Sequence, residues 1–424
     1  MEDYFAALEK YNFWNGNVPQ LGFYRTNYTD KILDYTGNKL VKVLVGQRRV
    51  GKSYILRQIA HELIENNVNP INIFYINKEF TDFDFITDYE NLEELLNLYK
   101  NKLKPEGKIW LFIDEIQNIN GWEHFVNSYS QDFAATYEIF ISGSNSKMLS
   151  GELATLLSGR YVNFEILPFS FIEYTGITQK ENTKQSYIAY LQSGALPELF
   201  VLPNNETKRN YVSAIKDTVL LRDIIQRHTI KDPKLLEDIF VYLVNNASNM
   251  ISITNIVNYF KTNGRKTTYD TISNYISFIE DTFLIHRTSR YDIRGKETIS
   301  GNCKYYINDL SFKNYLYSGF GYGTGYMLEN LIYLELRRAG YEIYAGTMRD
   351  KEVDFVAQKS DRVLYIQSTY LLANEQTTYR EYAALEAIPD NYEKMVVSLD
   401  DILLPSNKGI LHVHAWDLHK VISN

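Results

Sequence analysis

Cysteine is nearly absent: the chain of 424 residues carries one, Cys303. A single thiol cannot close an intramolecular disulfide, and with no marked basic or histidine neighbour it reads as a small packed residue rather than a nucleophile. Long hydrophobic runs are missing as well. Spanning a membrane takes roughly 18 consecutive apolar residues, whereas the strongly apolar stretches here are strand-sized, such as Ile109–Ile113. The N-terminal Met1-Glu2-Asp3 lacks the basic region and apolar core of a secretory signal. These absences together point to a soluble protein of a reducing, cytoplasmic compartment. Positive charge is also in deficit, with 44 Lys and Arg against 52 Asp and Glu and a net charge of −8. That balance argues against coating nucleic acid through bulk charge, while leaving open a local basic patch.

Aromatic residues, by contrast, are plentiful: 35 Tyr and 22 Phe, scattered through the whole chain, which reads as core filling more than as base-stacking surface. At roughly 150 residues per domain the length suggests two or three domains, each able to bury a core. Most of the chain is therefore expected to be ordered, with 45% hydrophobic and 23% charged residues. There is no internal repeat and no low-complexity segment.

From Lys42 to about Leu167, short β-rich runs alternate with helical periodicity. The expected strands are 41–46, 72–76, 108–114, 138–142 and 162–167, and Ile55, Leu56, Ile59, Ala60, Leu63 and Ile64 recur at helical spacing. Such alternation implies a parallel sheet buried on both faces. After Pro168 the texture turns helical, with helices expected over 234–246, 254–263 and 268–282, followed by a strand over 284–291. Three short helices and a strand in this order resemble a winged-helix module. Gly319, Gly321, Gly323 and Gly325 then mark a domain boundary or mobile loop. Beyond them the expected order is helix 327–339, strands 341–345, 352–357 and 363–370, helix 374–387 and strand 394–399, a compact α/β unit.

The chemistry begins with Gly46-Gln47-Arg48-Arg49-Val50-Gly51-Lys52-Ser53, which follows an expected strand and opens an expected helix. This is the pattern of a phosphate-cradling loop: glycines let the backbone wrap a phosphate chain so that N–H groups and the helix dipole face the anion. Lys52 is placed to reach the terminal phosphates, and the Ser53 hydroxyl to ligate Mg²⁺. Downstream, the apolar run Ile109–Ile113 delivers Asp114 and Glu115 at its C-terminal end, the edge that faces such a loop in a parallel sheet. Asp114 would hold Mg²⁺ through water, and Glu115 would polarise the attacking water as general base.

These two elements make the chain resemble the P-loop ATPases of the AAA+ type, which bind ATP with Mg²⁺. Ile139-Phe140-Ile141-Ser142-Gly143-Ser144-Asn145 resembles the next strand of such enzymes, ending in the polar residue that senses the γ-phosphate, here Asn145 or Ser144. Leu157-Ser158-Gly159-Arg160 resembles the place where they present an arginine finger to a neighbouring subunit, so Arg160 would imply a homo-oligomer. More narrowly, 167–171, 194–198 and 223–227 resemble a large prokaryotic group of AAA ATPases, with a winged-helix region and then a restriction-endonuclease-like domain. The implied fold is α/β throughout. An ATPase domain over 1–168 is followed by a helical and winged-helix region over 169–318 and a small α/β domain over 319–424.

The last domain departs from the pattern. A nuclease of that kind needs a helix carboxylate, an Asp opening a strand and Glu-x-Lys on the next strand. Glu329 and Asp354 match the first two, but the third element reads Gln367-Ser368-Thr369. The resemblance therefore implies a decayed nuclease fold serving as a binding or regulatory module. In the winged-helix region, eight basic residues meet seven acidic ones between Pro233 and Ser300, close to neutral. Lys261, Arg265 and Lys266 nevertheless precede the third helix, and Arg287, Arg290, Arg294 and Lys296 lie where a wing would touch DNA phosphates. Packing as an ATPase lid is the alternative for this region. For the whole chain, the alternative to an ATPase is a nucleotide-dependent switch with little turnover that recognises DNA or a protein.

Overall fold

A computed structural model of the chain describes residues 2–134, 136–145, 157, 159–318, 323–349, 351–372 and 374–423. They form two compact units, Met1–Ile166 and Leu167–Asn424. The first is built on five parallel strands, β1 (Val41–Val45), β2 (Ile73–Asn77), β3 (Ile109–Asp114), β4 (Tyr137–Gly143) and β5 (Tyr161–Glu165). Their order across the sheet is β2-β3-β4-β1-β5, and each lies within one or two residues of its expected place. Every residue of β1 to β4 is buried, as unbroken apolar runs require when helices cover both faces. The helices of this unit among the described residues are α1 (Glu2–Tyr11), α2 (Thr26–Leu33), α3 (Lys52–Glu65), α4 (Tyr89–Leu103) and α5 (Trp122–Gln131).

Strand β2 is an edge, and the N-terminal segment closes it. Asn12 accepts the Tyr75 N–H at 2.7 Å and donates to the Tyr75 carbonyl at 2.9 Å, so one side chain satisfies both backbone groups as a further strand would. At the opposite end of the strands from the β1–α3 loop, Lys42 on β1 is buried against Glu138 on β4. Glu138 also receives Lys108 Nζ and the Gly37 N–H, both at 3.0 Å. Burial pushes the Lys42 ammonium down, and Glu138 pulls it back up. Because a buried ion pair that loses one partner leaves an uncompensated charge, this cluster ties β1, β3 and β4 together from below.

The second unit carries an eight-stranded mixed sheet in the order β13-β12-β11-β10-β9-β7-β8-β6. Its strands are β6 (Met250–Ile251), β7 (Ile285–Asp292), β8 (Glu297–Ile307), β9 (Glu342–Met348), β10 (Lys351–Lys359), β11 (Arg362–Thr369), β12 (Glu393–Ser398) and β13 (Ile410–His414). Its longer helices among the described residues are α6 (Phe171–Thr178), α7 (Lys184–Ser193), α8 (Asn205–Asp217), α9 (Pro233–Asn245), α10 (Ile253–Thr262), α11 (Tyr269–Glu280), α12 (Thr324–Arg338) and α13 (Glu375–Glu386). The start of α6 is a capping box, in which the Ser170 hydroxyl accepts the Glu173 N–H and Glu173 accepts the Ser170 N–H.

Two features differ from expectation. Strand β8, with 11 residues, has only its last five buried, and its polar first half hides the alternation that would announce a strand. Strand β7 pairs in parallel with β9, Arg290 to Asp292 facing Ala345 to Thr347. The strands after 319 therefore continue the sheet of the preceding segment instead of forming one of their own. Gly319 and Gly321 lie outside the described residues, and Gly323 precedes α12.

Candidate functional site

The C-terminal edge of the parallel sheet collects the chemistry of the first unit. Strand β1 ends at Val45, and a tight loop carries the chain into the 14-residue α3. Three loop residues adopt left-handed backbone: Gly46 with φ +146°, Arg49 with φ +70° and Gly51 with φ +101°. Glycine is needed for different reasons at the two positions. At Gly46 an added Cβ would lie 2.3 Å from the Ile166 carbonyl oxygen, while at Gly51 it would meet nothing within 4 Å, so only the backbone conformation asks for glycine there.

Lys52 opens α3 and folds back into this loop. Its Nζ donates to the carbonyls of Gly46 and Gln47 at 3.0 and 3.1 Å and lies 3.7 Å from Glu115 Oε1. The residue is 4% exposed. Burial works against its charge, and the carboxylates of Glu115 and Asp114 support it. The far end of the loop is fixed by Arg25, whose guanidinium donates to the Val50 carbonyl at 2.9 Å. Gln58 on α3 in turn donates to the carbonyls of Leu21 and Phe23 at 2.7 and 2.8 Å, binding the 21–25 segment to the helix.

Asp114 ends β3 fully buried. Its Oδ2 accepts from Asn77 Nδ2 at 2.8 Å and from the Tyr75 hydroxyl at 3.2 Å, and Oδ1 accepts from the Ser142 hydroxyl. The Ser53 hydroxyl hydrogen-bonds the same carboxyl. Burial, with the Glu115 charge beside it, pushes Asp114 up to about 6 against the pull of these hydroxyls and Lys52. Glu115 follows in left-handed backbone, φ +56°, its N–H donating to Ser142 Oγ at 3.1 Å. A non-glycine residue is sparse in that region, and here it turns the carboxylate back toward Lys52. Glu115 Oε2 accepts from Gln117 at 2.5 Å and from the Ser144 hydroxyl at 3.3 Å. Burial raises its pKa, but the charges of Lys52 and Arg48 outweigh burial and hold the carboxyl below its usual range.

The structure thus brings Gly46, Gln47, Arg48, Arg49, Val50, Gly51, Lys52, Ser53, Asp114 and Glu115 to one edge of the sheet. Arg48 is ion-paired with Glu79. Asn145 is half-buried and follows Ser144, whose hydroxyl is the one that reaches Glu115. Arg160 stands apart: it is exposed, and its carbonyl accepts the N–H of Val41, the first residue of β1, at 2.9 Å. That places it at the N-terminal edge of the sheet, away from the loop, and Ser158 beside it lies outside the described residues. Sequence reasoning passed over Tyr75, Asn77 and Ser142. A usable signal for two of them was the first polar side chain closing an apolar strand: Asn77 is in register with Asp114, and Ser142 adjoins it on β4.

ATP and Mg²⁺ fit these residues. A hydroxyl and one carboxylate, already hydrogen-bonded to each other, are what Mg²⁺ takes from a protein when it keeps most positions for phosphate oxygens and water. A buried lysine at a helix N-terminus supplies the matching anion site.

In the second unit, the expected phosphate-contacting residues divide. Arg265 is ion-paired with Asp238 and lies 3.7 Å from Asp232. Arg287 hydrogen-bonds Cys303 near Glu280, and Arg290 donates to Thr347 at 3.3 Å from a strand paired on both sides. Lys261, Lys266, Arg294 and Lys296 are exposed. Elsewhere in this unit Glu329 on α12 and Asp354 on β10 line a cavity of about 1100 Å³ together with Gln367, Ser368 and Thr369. Lys304 of β8, which the sequence pattern did not single out, stands between the two carboxylates, 2.8 Å from Glu329 Oε1 and 3.7 Å from Asp354 Oδ1. Burial pushes the Glu329 carboxyl up to about 8, against the pull of Lys304.

An uncharacterized protein of Haemophilus influenzae is 33% identical to this chain over 378 residues, covering 88% of this chain and 92% of that protein. One of Methanocaldococcus jannaschii is 32% identical over 374 residues, covering 82% and 79%. The chain belongs to their family. Residues 38–175 of this family member match the model described as an AAA domain, and residues 184–322 match a domain of unknown function (DUF8612). Among solved structures, the Walker-type ATPase of Pyrococcus abyssi is 14% identical, covering 70% of this chain and 95% of that one, with a TM-score of 0.39. The Thermotoga maritima RuvB Holliday junction branch migration motor is 15% identical, covering 68% and 89%, with a TM-score of 0.30. Superpositions this loose carry no argument, and the AAA assignment stands on the family match and the motifs.

For the AAA-domain loop, the two glycines give a graded expectation. Gly51→Ala meets only left-handed strain, about 1–2 kcal/mol, whereas Gly46→Ala adds a collision with the Ile166 backbone. Thermal unfolding should show the larger loss for Gly46→Ala, and equal losses would contradict that contact.

Proposed function

We propose that this AAA-domain protein binds ATP with Mg²⁺ at the Gly46–Ser53 loop and hydrolyses it, using the nucleotide state to move the rest of the chain. The observation that carries the reading is the buried set Lys52, Asp114 and Glu115, held at the mouth of the loop by Ser142, Asn77 and Gln117. Lys52 now rests on two neutral carbonyls, which phosphate oxygens replace with charge-assisted bonds. Ser53 and Asp114 would hold Mg²⁺, which supplies neutralisation of developing phosphate charge when bound. Glu115 is kept ionised by Lys52 and Arg48, so it can accept a proton from an attacking water, and Asn145 or Ser144, whose hydroxyl reaches Glu115, would sense the γ-phosphate. Lys52→Ala should abolish nucleotide binding, whereas Glu115→Gln should keep binding and lose turnover by about 10²–10⁴-fold. Phosphate release by Glu115→Gln at the parent's rate would sink the general-base role, and an equally low rate in both would leave the switch reading in its place.

Arg160 lies at the other edge from its own loop, so any service to a γ-phosphate is to the nucleotide of a second copy. The rate per subunit should therefore rise with protein concentration in the parent and stay flat in Arg160→Ala. A parent rate that does not change on dilution, in a protein that is monomeric by light scattering, speaks against the finger.

For the second unit the reading keeps DNA as the partner of the winged-helix region, with contact narrowed to Lys261, Lys266, Arg294 and Lys296. The exposure of these four favours them over Arg265, which is engaged with two aspartates. Reversing all four charges should remove a salt-dependent gel shift. A shift that persists unchanged would turn the search toward a protein partner.

A further inference from the structure

The restriction-endonuclease-like reading of the second unit implies a divalent cation between Glu329 and Asp354, and the side chains present do not fit one. One oxygen of each carboxylate already accepts two hydrogen bonds, and an ammonium occupies the place between them. Glu329 Oε1 accepts from Lys304 Nζ at 2.8 Å and from the Tyr306 hydroxyl at 2.9 Å. Asp354 Oδ2 accepts both the N–H and the hydroxyl of Ser368 at 2.8 Å, and Oδ1 faces Lys304 Nζ at 3.7 Å. Gln367, at the third expected ligand position, has its Oε1 turned to the Asp354 N–H at 3.3 Å. A carboxylate oxygen offers about two lone pairs, so Glu329 Oε1 and Asp354 Oδ2 have none to spare. Mg²⁺ demands near-octahedral oxygen ligands at about 2.0–2.1 Å.

What stands in the middle is an ammonium. Lys304 Nζ lies 2.8 Å from Glu329 Oε1, 2.6 Å from Glu352 Oε1 and 3.7 Å from Asp354 Oδ1, and its side chain is 3% exposed. An ammonium has three N–H donors, and here three carboxylates converge on it from one helix and one strand. We infer that Lys304 is a built-in replacement for the metal: the centre keeps a hydrolase's carboxylates and fills their cation position with a charge tethered to β8. Such a centre has no open coordination position on which a water could be activated. It binds no divalent ion and cleaves no phosphodiester, and its cation cannot be removed by chelation.

The test is Mn²⁺ binding to the full chain without nucleotide, followed by electron paramagnetic resonance. The parent and Asp354→Asn should bind the same number of Mn²⁺ equivalents, because nothing at this centre is available to either. Lys304→Met should gain one equivalent, which a further Asp354→Asn removes, and Mn²⁺ should raise the Tm of Lys304→Met. Lys304→Arg keeps the cation and should gain none. An equivalent bound by the parent and lost in Asp354→Asn overturns the proposal, as does a folded Lys304→Met that gains none. Should Lys304→Met fail to fold, the comparison of the parent with Asp354→Asn decides alone.

Discussion

A lysine ammonium with almost no access to water has to be surrounded by something, and that requirement organises the first unit. Taking one such charge out of water costs several kcal/mol unless partners meet it. Lys52 is met by two loop carbonyls, by Glu115 and, more distantly, by Asp114. For the carboxylates to be there, β3 must end beside β1's loop with only β4 between them, which the strand order provides. Ser142 on that intervening strand then serves both acids, donating to Asp114 and accepting from the Glu115 backbone. Loop, strand order and acid pair thus together meet one desolvated charge.

Among the described residues four lysines are buried, Lys42, Lys52, Lys304 and Lys313, and their partners differ. Lys42 is met by Glu138 within the sheet, which closes on the pair. Lys304 is met by three carboxylates beside a cavity, with hydrogen bonds already distributed among them. Lys52 rests on two neutral backbone carbonyls with Glu115 at 3.7 Å, and Lys313 donates to the neutral Asn245 Oδ1 and the Tyr317 carbonyl at 2.9 and 3.2 Å. Neutral partners alone therefore do not mark a ligand site; Lys52 differs from Lys313 in opening a 14-residue helix behind a loop with left-handed glycines.

Much of the first unit was legible because its signals are local. A strand buried on both faces is a continuous apolar run, and the Gly46–Ser53 pattern is contiguous, so β1, β3 and the loop could be placed from sequence alone. Pairings between remote segments were not legible. Asn12 closing β2, Ser142 beneath Asp114 and Lys304 between Glu329 and Asp354 each depend on strand order, which no window of residues displays. Charge counting failed for a related reason. A linear tally of the 233–300 segment treats Arg265 as available, but the fold has set it against Asp238 and Asp232. Strand β8 escaped notice because its exposed first half is polar and Gly301, with φ +109°, interrupts the pattern.

The parallel pairing of β7 with β9 also bears on how this chain can be dissected. The glycine-rich stretch near 319–325 invites a cut, since it looks like a linker. A fragment ending there would carry β7 with one side bare, and its complement would carry β9 equally bare. Unpaired strand edges of this kind recruit other strands, so each half would tend to associate with itself or with its missing partner. Complementation of two co-expressed halves is accordingly a more promising route to this unit than expression of either piece alone.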